Sequence, residues 1–262
     1  RIISRIECPM TAMQDMLNDP VANFALSIAD DLLMLGHVQG DWTGLGPILE
    51  EDIASSSMSQ DDLSHSLMLY EYLGDRFGLD PDVIAFERGP DDYRCCDLVT
   101  VPDEFDWAVA LVRRWFVAHW AVPALERLGT IGDDELKERC RRLRSEQGIH
   151  LSYLDDWMRR LGAGNGRDRV QDAMEELASH ARMLFELPTG LEVEGHRSQR
   201  DTIFDAWSAA TAAVLAEAGF TVDLALPAEE HIGGRRGRRA KHFVEQHTEM
   251  NEVRCQDPGA SW

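Results

Sequence analysis

The chain has 262 residues, 44% of them hydrophobic and 28% charged, which suits one large soluble domain or two small ones without disulfide or metal staples. Asp and Glu number 47 against 26 Lys and Arg, so the formal net charge is −21. This charge argues against general nucleic-acid binding, whose affinity comes from neutralising phosphates, and against docking on an anionic membrane.

The cysteines and the apolar runs indicate a reduced, cytoplasmic protein. The five cysteines form no C-x-x-C pair, and Cys95 and Cys96 are adjacent, which is poor geometry for a disulfide. The N-terminal region has no continuous apolar core that would predict a signal peptide. The longest apolar run, Trp115–Leu125, contains His119 and Pro123 and is too short to span a bilayer. We therefore expect neither a membrane span nor a nucleic-acid partner.

Helical periodicity dominates the chain, and alternating strand patterns between hairpin turns are nearly absent. Glycine, proline and charge placement locate the ends of the helices. The predicted helices are Val21–Val38, Pro47–Leu73, Pro102–Leu128, Asp133–Leu161, Arg169–Phe185, Ser198–Ala218 and about Arg238–Cys255.

The four longest helices predict a bundle. Gly74–Val101 is rich in Asp, Pro and Gly and indicates a long crossover between two helix pairs, which is the ferritin-like topology. The sequence thus predicts an all-α, ferritin-like four-helix bundle with additional C-terminal helices. Residues 1–20 are expected to be a flexible N-terminal segment and residues 21–262 a single domain.

A ferritin-like bundle raises the question of a di-iron site. Such sites take a Glu from each of two helices and Glu-x-x-His from each of the other two, because two ferrous ions need about four carboxylates. Here the second helix carries Asp62 and His65, and the fourth carries Gln147 and His150, each pair at spacing i, i+3. The first helix offers His37 near its inward stripe.

The third helix lacks the carboxylate that a di-iron site needs. Its inner stripe is Leu111, Trp115, Ala118, Val122 and Leu125. A mononuclear site with Asp62, His65, His150 and His37 is one interpretation. The other makes His65 and His150 core histidines hydrogen-bonded to Asp62 or Gln147. We favour the second, because a missing Glu on a central helix is hard to replace.

A late segment, Gly233–His242, carries five cations and no acid. They are Arg235, Arg236, Arg238, Arg239 and Lys241. One interpretation is an anion or partner contact, in which glycines let backbone N–H groups approach a phosphate or an acidic surface. The other is a solvated charge run. The sequence leaves both open.

The order of these features, from about Ala22 to Trp262, resembles the structural subunit of ring-1,2-phenylacetyl-CoA epoxidase, the PaaC family. The similar stretches are Leu26–Trp42 with its Gly-Asp-Trp end, Leu49–Ala54, Asp61–His65, Arg114–Trp120, Glu146–His150, Trp157–Gly162 and Gly233–Gly237. The chain departs from the family at Arg239-Ala-Lys241, where a His-Thr-Glu is usual. It departs also at Ala118, where the family's third helix has a carboxylate, and at His65, where a neutral residue is usual.

The resemblance implies a ferritin-like subunit that has lost its metal site, with no catalytic residue and no cofactor of its own. It would pair with a catalytic di-iron subunit that epoxidises the aromatic ring of a CoA thioester, with electrons from a reductase. A CoA thioester would lie near the interface. The rival hypotheses are a ferritin-like metalloenzyme with its own His/Asp site and a helical interaction module without a role in an oxygenase.

Overall fold

A computed structural model describes residues 9–188, 194–226 and 232–256, and these residues form helices and no β-strand. The helices are α1 (Pro9–Asn18), α2 (Pro20–Gly40), α3 (Leu49–Phe77), α4 (Pro81–Phe86), α5 (Trp107–Ile131), α6 (Asp134–Gly162), α7 (Arg167–Ala181), α8 (Glu194–Ala218), α9 (Lys241–Met250) and α10 (Glu252–Gln256). The predicted all-α, ferritin-like class is confirmed.

The bundle consists of two long helix pairs joined by a crossover. α2 packs along α3, and α5 packs along α6, while α7 and α8 cover α5. The crossover between α3 and α5 carries α4 and two 3₁₀ turns, Pro90–Asp92 and Asp97–Thr100. This arrangement puts the facing surfaces of α3, α5 and α6 at the centre, where a metal site would lie in a ferritin-like protein.

Several helix ends differ from the predicted ones for local reasons. α5 begins at Trp107 rather than at Pro102, because the Asp106 side chain caps it by accepting from Ala108 N at 2.8 Å. Just before this cap, Glu104 and Phe105 have φ of 46° and 60°, which a helix does not allow. The last predicted helix is divided in two at Asn251.

The N-terminal stretch contains a helix that was not predicted from the sequence. Within the predicted flexible segment of residues 1–20, residues 9–18 form α1, and Met16 is fully buried in the core. Residues 1–8 lie outside the described residues. The single-domain boundary at residue 21 stays a prediction.

Helix α2 is long and apolar enough to cross a membrane by length and composition alone. In the folded chain, however, 83% of its most apolar window is buried by the rest of the protein. Asp30 and Asp31 in its middle are fully buried and paired with arginines. α2 is therefore explained as the core helix of the bundle.

We expect Gly162→Ala to destabilise the fold by about 1–3 kcal/mol. A Cβ at Gly162 would clash with the carbonyl oxygen of Ala218 and come within 2.9 Å of its carbonyl carbon, and backbone does not move aside as a flexible side chain does. Urea unfolding measures the change.

Gly148→Ala in the same helix is the matched control. Nothing lies within 4 Å of a Cβ there. The control should stabilise the protein by about 0.5–1 kcal/mol, because Gly costs that much in a helix interior. Equal effects of the two variants would contradict the close α6–α8 contact.

Acidification should loosen α9. His247 packs edge-on against Tyr93, with ring centroids 5.1 Å apart, and Phe243 is fully buried beside it. Burial lowers the pKa of His242 and of His247 below the ordinary value of 6.5. A histidine with a lower pKa in the folded state binds its proton more readily when undocked, so stability is lost as the pH falls below 6.5.

Hydrogen–deuterium exchange at about pH 7.5 and about pH 5.5, corrected for intrinsic rates, measures this effect. Residues 241–250 should exchange faster at the lower pH, and His247→Phe should weaken the dependence. Unchanged exchange across this range would show that docking of α9 does not depend on neutral histidines.

Candidate functional site

A buried polar cluster connects α3 and α6 at the centre of the bundle. The i, i+3 spacing puts Asp62 and His65 on one face of α3, and Gln147 and His150 on the facing side of α6. Gln147 Nε2 donates to Asp62 Oδ1 at 2.8 Å and lies 3.1 Å from His65 Nδ1. Four of the five residues predicted from sequence as metal-site candidates therefore come together.

The fifth candidate, His37, does not join the cluster. It lies in the last turn of α2 and is half-buried. In the described part of the chain, the hydrogen bonds that join Asp62, His65, Gln147 and Arg114 do not include His37.

Arg114 of α5 supplies a positive charge that the sequence analysis missed. Its Nη1 lies 2.7 Å from Asp62 Oδ2, and its Nη2 donates to Ser59 Oγ at 3.1 Å. Both Arg114 and Asp62 are buried. The sequence did contain a signal, because Arg114 lies among residues of α5 that are almost all apolar. An arginine in such a helix is expected to be buried, and a buried charge needs a partner.

The two histidines of the cluster each bind a carboxylate towards the surface. His65 Nε2 lies 2.7 Å from Glu146 Oε2, and His150 Nε2 lies 3.0 Å from Asp61 Oδ2. The imidazole rings are stacked with centroids 6.2 Å apart. The hydrogen bond from His65, followed by that from Arg142, lowers the pKa of Glu146. Asp61 and Glu146 adjoin the predicted residues in sequence but were not predicted as site residues.

These residues do not fit a metal ion. Both oxygens of Asp62 accept hydrogen bonds, one from Arg114 and one from Gln147, and both ring nitrogens of His65 face a polar partner. A metal ion beside Asp62 would also lie against a guanidinium. Within the described part of the chain, no group of three or more His, Cys, Asp or Glu side chains is arranged to hold a metal.

A second buried network surrounds the aspartates of α2. Asp30 lies 2.5 Å from Arg88 Nη2 and accepts from the Tyr70 hydroxyl at 2.7 Å. The backbone N–H of Cys96 donates to Asp31 Oδ1 at 2.7 Å. These carboxylates tie the crossover to the core of the bundle.

The basic segment contributes to this network, which corrects the prediction of an anion contact for Arg235. Arg235 is 1% exposed, and its Nη2 lies 2.6 Å from Asp31 Oδ2. Its guanidinium also lies over the Trp120 ring, 4.8 Å from the centroid. Burial raises the pKa of Asp31 to about 6, while Arg235 acts in the opposite direction.

Arg239 is also used inside the protein. It donates to the carbonyl oxygens of Pro90 at 2.9 Å and Cys95 at 3.0 Å, and to that of Tyr93. A Cβ at Gly234 would lie 2.6 Å from the Cys95 carbonyl oxygen, so the glycine admits the chain's own backbone.

The other three cations of the segment differ in their exposure and in their contacts. Arg236 donates to the Leu187 carbonyl oxygen at 2.8 Å. Arg238 is exposed, and Lys241, 90% exposed, lies 2.9 Å from Glu245. A contact of Arg236, Arg238 and Lys241 with an anion or partner stays a prediction.

The fold and the cluster define a ferritin-like helical protein whose centre holds an arginine–aspartate pair. The chain belongs to the family described as phenylacetic acid catabolic protein, whose sequence model matches residues 7–262. It is 28% identical to the 1,2-phenylacetyl-CoA epoxidase subunit designated C of Escherichia coli (strain K12), over 249 residues that cover 91% of this chain and 98% of that protein. The resemblance seen in the sequence is thereby confirmed at the level of the family.

Proposed function

We propose that this chain is a non-catalytic, structural subunit of a cytoplasmic, multicomponent di-iron oxygenase. It pairs with a catalytic subunit that holds the iron and epoxidises the aromatic ring of phenylacetyl-CoA or a related thioester. The family match supports a place in phenylacetate catabolism. The observation that carries the structural role is the ion pair of Arg114 and Asp62 at the centre of the bundle.

The charge balance of the cluster explains why this pair supports a structural role. The negative charge of Asp62 is matched by Arg114, and Gln147 contributes a neutral amide where a di-iron site needs a carboxylate. Two like unit charges 4 Å apart repel by about 4 kcal/mol at an effective dielectric constant of about 20. A cation added beside Arg114 would meet this repulsion without enough carboxylates to offset it.

In this role, the buried polar residues stabilise the packing of the helices. Arg114 connects α5 to α3 through Asp62 and Ser59, and Gln147 connects α6 to the same carboxylate. A rigid bundle of this kind presents a fixed surface to a partner subunit. We also assign Arg238 and Lys241, which reach the surface, to contact with that partner or with the phosphates of CoA.

Metal analysis of the separated chains tests the proposal. The chain purified alone should contain no stoichiometric iron and should not turn over phenylacetyl-CoA with the reductase. Mixed with the catalytic subunit from the same organism, it should form a complex whose iron belongs to the other chain. Two iron ions per chain in this protein alone would refute the structural role.

One observation favours the alternative of a metalloenzyme with its own site. His150 is buried, its Nδ1 has no hydrogen-bond partner among the described residues, and His65 is stacked on it. This alternative expects iron or manganese that is lost in His65→Gln with His150→Gln. The structural role expects no metal in either form and retained activity of the complex with the double variant.

A further inference from the structure

Helix α3 carries a row of exposed apolar side chains along its outer face. The α3 stripe consists of Leu49, Ile53, Leu63 and Leu67, which are 69%, 63%, 39% and 45% exposed. Spacings of four, ten and four residues put them within one side of the helix. The side that carries Met58, Asp62 and Leu69 is buried against the bundle instead. The stripe therefore lies outside the buried core cluster, although Leu63 also packs over Gly36 of α2.

The apolar exposure is concentrated here. Eleven large apolar side chains are exposed in the described residues, and six of them lie between positions 45 and 67. Leu45 and Ile48, just before α3, complete this set. Single exposed apolar side chains are normal on a soluble protein, whereas a contiguous set marks a contact surface.

A groove of about 490 Å³ lies between α3 and α6. Ile149 of α6, 69% exposed, lies on its far wall. The α3 wall is formed by Ala54, Ser57, Met58 and Asp61. No residue of the stripe lines this groove, whose walls also carry Arg142 and Glu146, so the apolar surface offered to a partner is the stripe itself. From Leu49 to Leu67 this surface is about 27 Å long, at 1.5 Å per helical residue.

The charges around the stripe select the occupant. Between Leu49 and Asp75, α3 contains Asp and Glu but no Lys or Arg. Two of these acids, Glu51 and Asp62, are buried, and Glu71 and Asp75 lie against Arg139 of α6. The acids that remain beside the stripe are Glu50, Asp52 and Asp61. A second copy would bring the same acidic helix, and a second net charge of −21, against the first. A helix with Lys or Arg beside its apolar face would be attracted instead.

We propose that the α3 stripe is the docking surface for an amphipathic, basic-flanked helix of the catalytic subunit. The inference rests on the proposed function and specifies the face of this chain that meets the partner. Binding removes the apolar side chains from water, and the acids beside them steer and orient the basic flanks of the partner helix.

The test uses the full chain and the catalytic subunit from the same organism. The triple variant Leu49→Ser, Ile53→Ser, Leu67→Ser should raise the Kd of the complex by at least about tenfold, because it removes apolar area that binding would bury. The matched control Val244→Ser, Val253→Ser changes exposed apolar residues of α9 and α10. It should leave the Kd within about twofold of the original. Urea unfolding of both variants should match the unaltered chain.

A photo-crosslinker supplies a second measurement. Placed at the exposed Gln60, between Ile53 and Leu63 on the stripe, it should capture the catalytic subunit. Placed at the exposed Glu176 of α7, it should not.

The outcomes separate this inference from the proposed function. A complex that forms equally well with the triple variant overturns the docking surface and leaves the proposed function standing. No complex with the unaltered chain refutes both. A homodimer of the unaltered chain that the triple variant abolishes would assign the stripe to a second copy. Binding to anionic phospholipid vesicles that the triple variant abolishes would assign it to a membrane, and either result overturns the proposal.

Discussion

Arg114→Met is expected to lower the free energy of unfolding by about 3–5 kcal/mol, because it leaves Asp62 as a buried charge without its cation. The Arg114–Asp62 distance is 2.7 Å, and both side chains are buried between α5 and α3. Urea unfolding at neutral pH measures the loss. Arg141→Met is the control, since Arg141 pairs with Glu138 on the exposed side of α6, and it should change stability by no more than about 0.5 kcal/mol.

The double variant Arg114→Met, Asp62→Leu separates the pair from its parts. Replacing a buried ion pair with apolar residues is often neutral or stabilising, so the double variant should recover most of the loss. Gln147 would keep His65 Nδ1 as a partner after Asp62 is gone. A single Arg114→Met variant as stable as the unaltered chain would show that Asp62 does not depend on Arg114 for its charge balance.

Arg235→Met is the second large expected effect, again about 3–5 kcal/mol. Arg235 is the only cation whose charge lies against Asp31 in the described ion pairs, at 2.6 Å, and it also donates to the Arg94 carbonyl oxygen at 2.9 Å. Losing it should destabilise α2, the crossover and the segment 233–239 together. Arg238→Met, on an exposed residue of the same segment, should change stability by no more than about 0.5 kcal/mol.

The pH dependence of this loss gives a further measurement. Burial already raises the pKa of Asp31 to about 6, and without Arg235 the carboxyl group should hold its proton more readily still. Protonation removes the unpaired charge, so the difference between Arg235→Met and the unaltered chain should shrink as the pH falls. A difference that grows on acidification would show that Asp31 is not the group left unpaired.

The helices could be read from the sequence because their determinants are local. The apolar stripe from Leu136 to Leu161 predicted α6 nearly to its ends, since Asp133 caps its start and Arg159 and Arg160 complete its last turn. The start of α5 was predicted too early. Pro102 suits a first helical turn, but the residues before Asp106 form a separate turn with positive φ at Glu104 and Phe105.

The candidate site could be predicted in part. Spacing alone put Asp62 with His65, and Gln147 with His150, because residues three apart share a helix face. It did not identify Arg114, which lies in another helix, 52 residues after Asp62. Without that contact, the sequence left a metal site and a hydrogen-bonded core open as rival interpretations.

The sequence by itself therefore determined the helical class, the order of the long helices and which side chains share a face, because a 3.6-residue repeat expresses these locally. Only the tertiary structure decided where each charge lies. Arg235 belongs to a segment that looks like a solvated basic loop, yet it pairs with an aspartate 204 positions earlier. A charge is stable in the interior only beside a partner, and distant elements provide that partner when they pack.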